Sequence, residues 1–448
     1  MNESPIAVRG DALQHALDRI TEVRVPGMSV HVSDDEGELA LSSGWMARGR
    51  EPRMSQSARY PISCMIKPVI SYLALLAHAR GLLDIDSGIE EYLPEVRSTK
   101  HRNPVTLRHL LSHTGGFHDP GEAQARWRMS WEQLADFFRD REQAFAPGAV
   151  WSYTHSGHAL LAKAVERVEG REALELAREC VFDPLGIQVA HHNEDRVSPH
   201  RYSASTGTLA PFRLPPERGM LRYSLSDIHL TSAEMARLGK FLYSPNPEAT
   251  ASGEALMLLQ RQYVTIGTMA YSDRAELIPE TFGLGAGKVR GLFAQNGSFI
   301  GTTSAIRYDA SSNTCVVVSM NCYDAFVRDQ IGLKLATALK GVASAPPPPP
   351  SCELPFDLSE LSGSYRGLMM GMGMGVIGDD GRCRVAGPGG QIEYKLNKSS
   401  KGLLSYTAAP GAPPIGFSKD PATGAPVLHV SVSAFKHAGD ASAAEALD

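Results

Sequence analysis

The chain has 448 residues, 43% of them hydrophobic and 21% charged, with a formal net charge of -5 at pH 7. That length fits two or three domains, or one large domain with an appendage, and the composition is that of a globular protein. The mild acidity offers no basic excess for nucleic acid or an anionic membrane, and no apolar run is long enough to span a bilayer.

Met1 to Asp11 has neither a basic n-region nor an apolar h-region, so no secretory signal and a cytoplasmic location are expected. Cys64, Cys180, Cys315, Cys322, Cys352 and Cys383 are scattered without a C-x-x-C pair, which predicts reduced thiols. Leu13, Ala16, Leu17 and Ile20 at helical spacing predict a first amphipathic helix over 10–22. Strands follow from Val25 to Ser33 and from Leu39 to Gly44, with a turn at Asp34 to Glu38. Tyr60-Pro-Ile-Ser is extended, and Cys64 opens a helix running into Ser71-Tyr-Leu-Ala-Leu-Leu-Ala. Cys64 and Lys67 stand three apart and share a helix face. An ammonium one turn away and the helix start both favour thiolate over thiol. Taken alone, C-x-x-K reads first as a buried structural cysteine beside a surface lysine, ahead of a nucleophile.

Ile89 to Pro94 is a short helix, and Thr106 caps another that Gly115-Gly116 terminates. Helices are expected over 131–145, 158–169, 172–180, 231–243 and 254–261. Residues 193–223 lack a period and predict a long loop of the kind that walls a substrate site. Strands return near 291–296, 303–308 and 314–320, and Ala325 to Leu339 closes the unit as a helix. Strands at both ends of a long helical middle imply an α/β fold with an antiparallel sheet. The polyproline run 346–350 marks a linker, giving domains at 1–341 and 356–448 with 342–355 between them. Beyond it, period-two segments between turns predict a small all-β module, read as a barrel because closure removes exposed edges. The Met- and Gly-rich stretch 369–375 reads as an adaptable lining or as a packed hairpin.

Four stretches in order, Ile62-Ser-Cys-Met-Ile-Lys, Val105-Thr-Leu-Arg-His-Leu-Leu-Ser-His-Thr-Gly-Gly, Trp151-Ser-Tyr-Thr-His-Ser-Gly and Phe293-Ala-Gln-Asn-Gly-Ser-Phe-Ile-Gly, resemble the serine β-lactamase and penicillin-binding-protein superfamily. Its branch of class C β-lactamase-like esterases, D-aminopeptidases and transacylases is the nearest likeness, over about residues 10–340. The resemblance implies a β-lactamase-like antiparallel sheet with a helical insertion, and the C-terminal module is similar to the lipocalin-like domain some members carry. The S-x-x-K motif falls on Cys64 to Lys67, so the nucleophile is a cysteine. The Tyr-x-Asn motif falls on Tyr153-Thr154-His155, with histidine in the Asn slot. The Lys/His-x-Gly motif falls on Gln295-Asn296-Gly297, with a neutral amide for the usual cation.

What the resemblance implies is acyl transfer: Cys64 attacks a carbonyl while Lys67 and Tyr153 share the proton. The backbone N–H groups of Cys64 and Ser298 form the oxyanion hole. His155 holds substrate carbonyls or enters the proton network, and Gln295, Asn296 and Gly297 line the substrate. A thiol of ordinary pKa about 8.5 needs less help from a base than a hydroxyl. The implied partner is a small-molecule or peptidyl acyl donor, free or carrier-protein-bound, in a transacylase or thioesterase of the kind that releases nonribosomal peptides. No cofactor is implied. A metal at His155 and His158 is set aside because no third ligand is spaced with them, and His109 and His113 read as fold residues at a helix end. Two alternatives stand beside this: a catalytically inactive homologue that binds a ligand, and a serine hydrolase whose nucleophile has been changed to cysteine.

Overall fold

The structure is a computed structural model that describes residues 10–47, 50–101, 103–120, 129–189, 196–203, 208–211, 219–223, 226–245, 250–266, 268–269, 279–299, 301–339, 358–367, 374–378, 382–387, 390–398, 404–408, 415–430 and 433–437. The predicted linker 342–355 and most of the Met- and Gly-rich stretch lie outside them. Helix α1 (Gly10–Val23) leads into strands β1 (Gly27–Ser33), β2 (Glu38–Ala47) and β3 (Arg50–Arg53). Far along the chain come β4 (Gln262–Thr265), β5 (Thr281–Gly283), β6 (Gly287–Val289), β7 (Leu292–Phe299), β8 (Thr302–Asp309) and β9 (Thr314–Met320). Together they form one antiparallel sheet in the order β3-β2-β1-β9-β8-β7-β6-β5-β4.

β1, β8 and β9 are buried at every position, which explains the unbroken apolar run of β9: a strand covered on both faces has no polar face to alternate with. Met28, Val30, Val32, Val316 and Val318 pack with Leu17 of α1 on one face. Ile306, Tyr308, Cys315 and Val317 join the larger helical core on the other. Each such side chain contributes about 1.5–3 kcal/mol by leaving water. Helix α2 (Ile66–Ala79) is buried from Ile66 through Ala77; apolar all round, it is the axis of the helical region. Around and beyond it lie α3 (Leu107–Leu111), α4 (Ser156–Glu169), α5 (Ser232–Tyr243), α6 (Ala251–Gln260) and α7 (Ala325–Leu339). α5 packs on β1, β8 and β9, and α7 packs on β8 and β9. No helix among the described residues is long and apolar enough to cross a membrane.

Several local expectations need correction. Helix α2 starts at Ile66, so Cys64 occupies the turn before it. Helix α3 stops at Leu111, with Ser112 as its cap, because His113 takes a left-handed φ of 57° before the glycines are reached. The helix expected to extend to Phe145 is Trp131–Arg139; beyond it, Ala144 and Phe145 donate their amides to Gly116 O instead. The expected long loop contains paired strands His200–Ser203 and Thr208–Pro211 and a 3-10 turn at Met220–Tyr223.

The C-terminal strands are β10 (Gly363–Gly367), β11 (Met374–Ile377), β12 (Arg382–Gly387), β13 (Gly390–Lys398), β14 (Leu404–Ala408), β15 (Ile415–Lys419), β16 (Pro426–Val430) and β17 (Ser433–His437). They run antiparallel in the order β14-β13-β12-β11-β10-β17-β16-β15, so the first strand pairs with the last. The far edge of β15 is taken by Thr268–Met269. On β16, Leu428 and Val430 enter the module's own core, whereas Val427 packs on Ala144, Phe145 and Val150. Period-two alternation thus serves two interfaces at once.

Candidate active site

The short strand Tyr60–Ser63 pairs with Ser226–Leu230 and ends at Ser63, whose φ of 50° is left-handed. That conformation costs a residue with a Cβ about 1–2 kcal/mol and turns the chain sharply. Met65 N–H then donates to Ile62 O at 2.9 Å, leaving Cys64 half-buried at the tip of the turn. Lys67, one turn further on, is 2% exposed. The alternative of a buried cysteine beside a surface lysine is therefore inverted. The Lys67 ammonium lies 3.2 Å from His155 Nδ1 and 4.6 Å from the centre of the Tyr153 ring. The roles of the two nitrogens follow the His155 tautomer: with Lys67 as ammonium donor, Nδ1 accepts and the imidazole proton sits on Nε2.

Tyr153 and His155 sit just ahead of α4, whose first amides lack intrahelical partners. Asp119 supplies them: its Oδ2 accepts from His155 N at 2.6 Å, Ser156 N at 2.9 Å and Ser156 Oγ at 2.9 Å. Sequence reasoning missed this buried carboxylate, because the helix it caps starts 37 residues away. Asp119→Ala should lower stability by about 2 kcal/mol, the upper end for a lost cap, and reduce turnover by loosening the Tyr153–His155 segment. A urea midpoint equal to the parent protein's would count against this role.

His113 also holds that segment. Thr154 N–H donates to His113 Nδ1 at 3.2 Å, and the imidazole lies 4.5 Å from the Tyr153 ring and 4.8 Å from the His158 ring. His158 Nε2 is 3.0 Å from Ser71 Oγ. His109, by contrast, makes a capping box with Thr106 at the start of α3, not at its end. Burial pushes His113 and His158 well below the usual histidine range of 6.5, helped at His113 by His158 and at both by Lys67. Both are thus neutral when folded and bind protons more readily once unfolded. Their contribution is intact above pH 6.5 and fades as pH falls below it. Two such groups should lose about 2 kcal/mol of stability between about pH 7 and 5.5. Chemical denaturation at the two pH values checks this, and His113→Gln should flatten the dependence.

The wall opposite is the later part of β7. Among the described residues β6 pairs with Leu292 to Ala294, and beyond them Gln295 and Gly297 approach the turn that carries Cys64. Gln295 Nε2 donates to Cys64 O at 3.3 Å and to Asn296 O at 3.0 Å. Two carbonyls around one nitrogen fix the orientation of that amide. A Cβ on Gly297 would collide with Ile62 O and come within 3.1 Å of Met65 Cγ, so only glycine lets the two strands approach. Strand alternation puts Asn296 on the other face, where its Oδ1 accepts from Arg307 at 2.8 Å. Its Oδ1 is therefore engaged behind the strand, on the face away from Gln295. Gly297 pairs with Ser304 of β8, and Thr303 Oγ1 donates to Gly297 O from that side. The Ser298 amide, in the same peptide group, is then turned to the edge of β7 away from β8. Cys64, Lys67, Tyr153, His155, Gln295 and Gly297 are thus gathered at one place. Among the described residues no group of His, Cys, Asp or Glu could hold a metal ion.

A family described as Beta-lactamase matches residues 12–338. Among curated proteins the chain is similar to esterase EstB of Burkholderia gladioli, at 29% identity over 42% of this chain and 52% of that one. It is also similar to a D-aminopeptidase of Cereibacter sphaeroides, at 28% identity over 42% of this chain and 37% of that one. The chain thus spans about a third to a half of the length of these relatives. The crystal structure of SurE shares the fold, with a TM-score of 0.73 at 19% identity over 96% of this chain and 99% of that chain.

Proposed function

Because the chain belongs to the Beta-lactamase family, we propose that it is an acyl-transferring enzyme whose covalent intermediate forms on Cys64. The observation that carries this is the buried Lys67 ammonium, one turn from Cys64 and 3.2 Å from His155 Nδ1. An ammonium this deep is costly, and beside a thiol it has a chemical use. When Lys67 passes a proton to His155 Nδ1, its free amine can take the proton of the Cys64 thiol, a transfer that an amide in the place of His155 could not support. Tyr153, whose ring packs against the same nitrogen, would serve as a second acceptor only as its phenolate. The sulfur then bonds to the substrate carbonyl carbon, and the carbonyl oxygen becomes an oxyanion held by the Cys64 and Ser298 amides. Collapse of this adduct expels the leaving group with a proton and leaves a thioester on Cys64. Water, an amine or a thiol attacks that thioester and regenerates the thiol.

Sulfur favours transfer over hydrolysis, since thioesters are readily aminolysed. The donor we infer is a small-molecule or peptidyl ester or thioester, free or carrier-bound, and the pathway a biosynthetic one. The relatives named esterase and D-aminopeptidase support ester and amide carbonyls as the reacting groups. We read residues 356–448 as a lipocalin-like accessory module, on the strength of the first-to-last strand pairing. Intact-protein mass after incubation with a peptidyl thioester tests the central claim: the expected result is a gain of the acyl mass located on Cys64. A chain that binds the donor without ever gaining mass would be a ligand-binding homologue instead.

A further inference from the structure

Behind the oxyanion edge of β7 lies a buried polar network that the reaction as written does not use. Arg307, Arg328 and Asp329 have no exposed side-chain surface. Asp329 Oδ1 accepts from Arg307 at 2.6 Å and from Arg328 at 2.8 Å, and its Oδ2 accepts from Arg328 at 2.9 Å. From this hub Arg307 reaches Asn296 Oδ1 at 2.8 Å. Arg328 donates to Thr303 Oγ1 at 2.8 Å and to Ser298 Oγ at 3.3 Å. Thr303 Oγ1 in turn donates to Gly297 O at 3.3 Å and lies 2.8 Å from Ser298 Oγ. Three consecutive residues, 296 to 298, are therefore held from one side, and the middle one has no side chain by which to be held.

Gly297 O and the Ser298 N–H belong to one peptide group. In a trans peptide they point in opposite directions across a rigid plane, so fixing the oxygen aims the hydrogen. We propose that Thr303 and Arg328, anchored by Asp329, are positioning residues that set the tilt of the Gly297–Ser298 peptide and so aim the Ser298 amide at the oxyanion. This rests on the reading of Cys64 as the acylated nucleophile. A buried network of this kind suits the task because both arginines converge on the one Asp329 carboxylate, which fixes the groups that reach Thr303 and Ser298.

Thr303→Val keeps the side-chain shape but removes both the donor to Gly297 O and the acceptor for Arg328; Thr303→Ser keeps the hydroxyl. Two rates are compared in each: acylation of Cys64 by a thioester, followed by mass, and alkylation of Cys64 by iodoacetamide. Alkylation forms a carbon–sulfur bond as iodide leaves and develops no oxyanion. The expected result for Thr303→Val is acylation slowed about ten- to a hundredfold, alkylation within twofold of the parent, and acylation restored by Thr303→Ser. Equal slowing of both rates, or no slowing of either, overturns the proposal. If Thr303→Val does not fold, Ser298→Ala carries the same comparison, with a smaller selective loss of acylation expected and an equal loss of both rates overturning it. A parent protein that alkylates but is never acylated would instead overturn the nucleophile reading itself.

Discussion

Replacing Cys64 with alanine is expected to remove the acyl adduct and to lower turnover of an ester or thioester by about 10⁴-fold or more, the scale seen when a nucleophile is deleted. The loss should be large because the remaining groups can polarise and orient a carbonyl but offer nothing that bonds to its carbon. Folding should be unaffected, since Cys64 is only half-buried at a turn and alanine leaves no large cavity. Cys64→Ser is the informative companion. A hydroxyl must be deprotonated by its surroundings to attack, whereas a thiol is already part thiolate near neutral pH. The ratio of serine to cysteine rates therefore reads how strong a base Lys67, Tyr153 and His155 make together. Turnover of Cys64→Ala within tenfold of the parent would place the chemistry elsewhere.

Lys67→Met should separate activity from stability. Methionine fills much of the same volume, and removing the ammonium also removes its desolvation cost at a site that is 2% exposed. An imidazole and an aromatic ring are among the groups around it, and neither of these is left as a stranded countercharge, which is what makes breaking a buried ion pair so costly. Stability is expected to hold or to rise by about 1 kcal/mol. Acylation is expected to fall by about 10²- to 10⁴-fold, as when an acid–base group is lost, with alkylation of the thiol also slowed. Urea denaturation and single-turnover mass measurements read the two effects independently. Acylation within threefold of the parent would remove Lys67 from the proton pathway.

Much of the fold was legible because its signals are local. Thr106 caps a helix as its position in the chain suggests, and the apolar run of β9 announces a strand buried on both faces. The short strands β3 to β6 were missed because pieces of three or four residues carry too little period to stand out. The helix expected up to Phe145 was too long for a similar reason: an apolar residue at the right spacing reads the same whether it continues a helix or packs as a loop against Gly116.

For the site, it was the resemblance of four stretches in order to a known family that singled out Cys64, Lys67, Tyr153, His155, Gln295 and Gly297 and implied acyl chemistry. Only the tertiary structure decided what each of them touches. Lys67 meets His155 across 88 residues, Asp119 caps α4 from a distant turn, and Asn296 faces Arg307 rather than the cleft. No local pattern encodes such contacts. Whether a charge is buried, which nitrogen of an imidazole accepts, and which way a peptide amide points all depend on what other segments bring to within about 3 Å, the reach of a hydrogen bond.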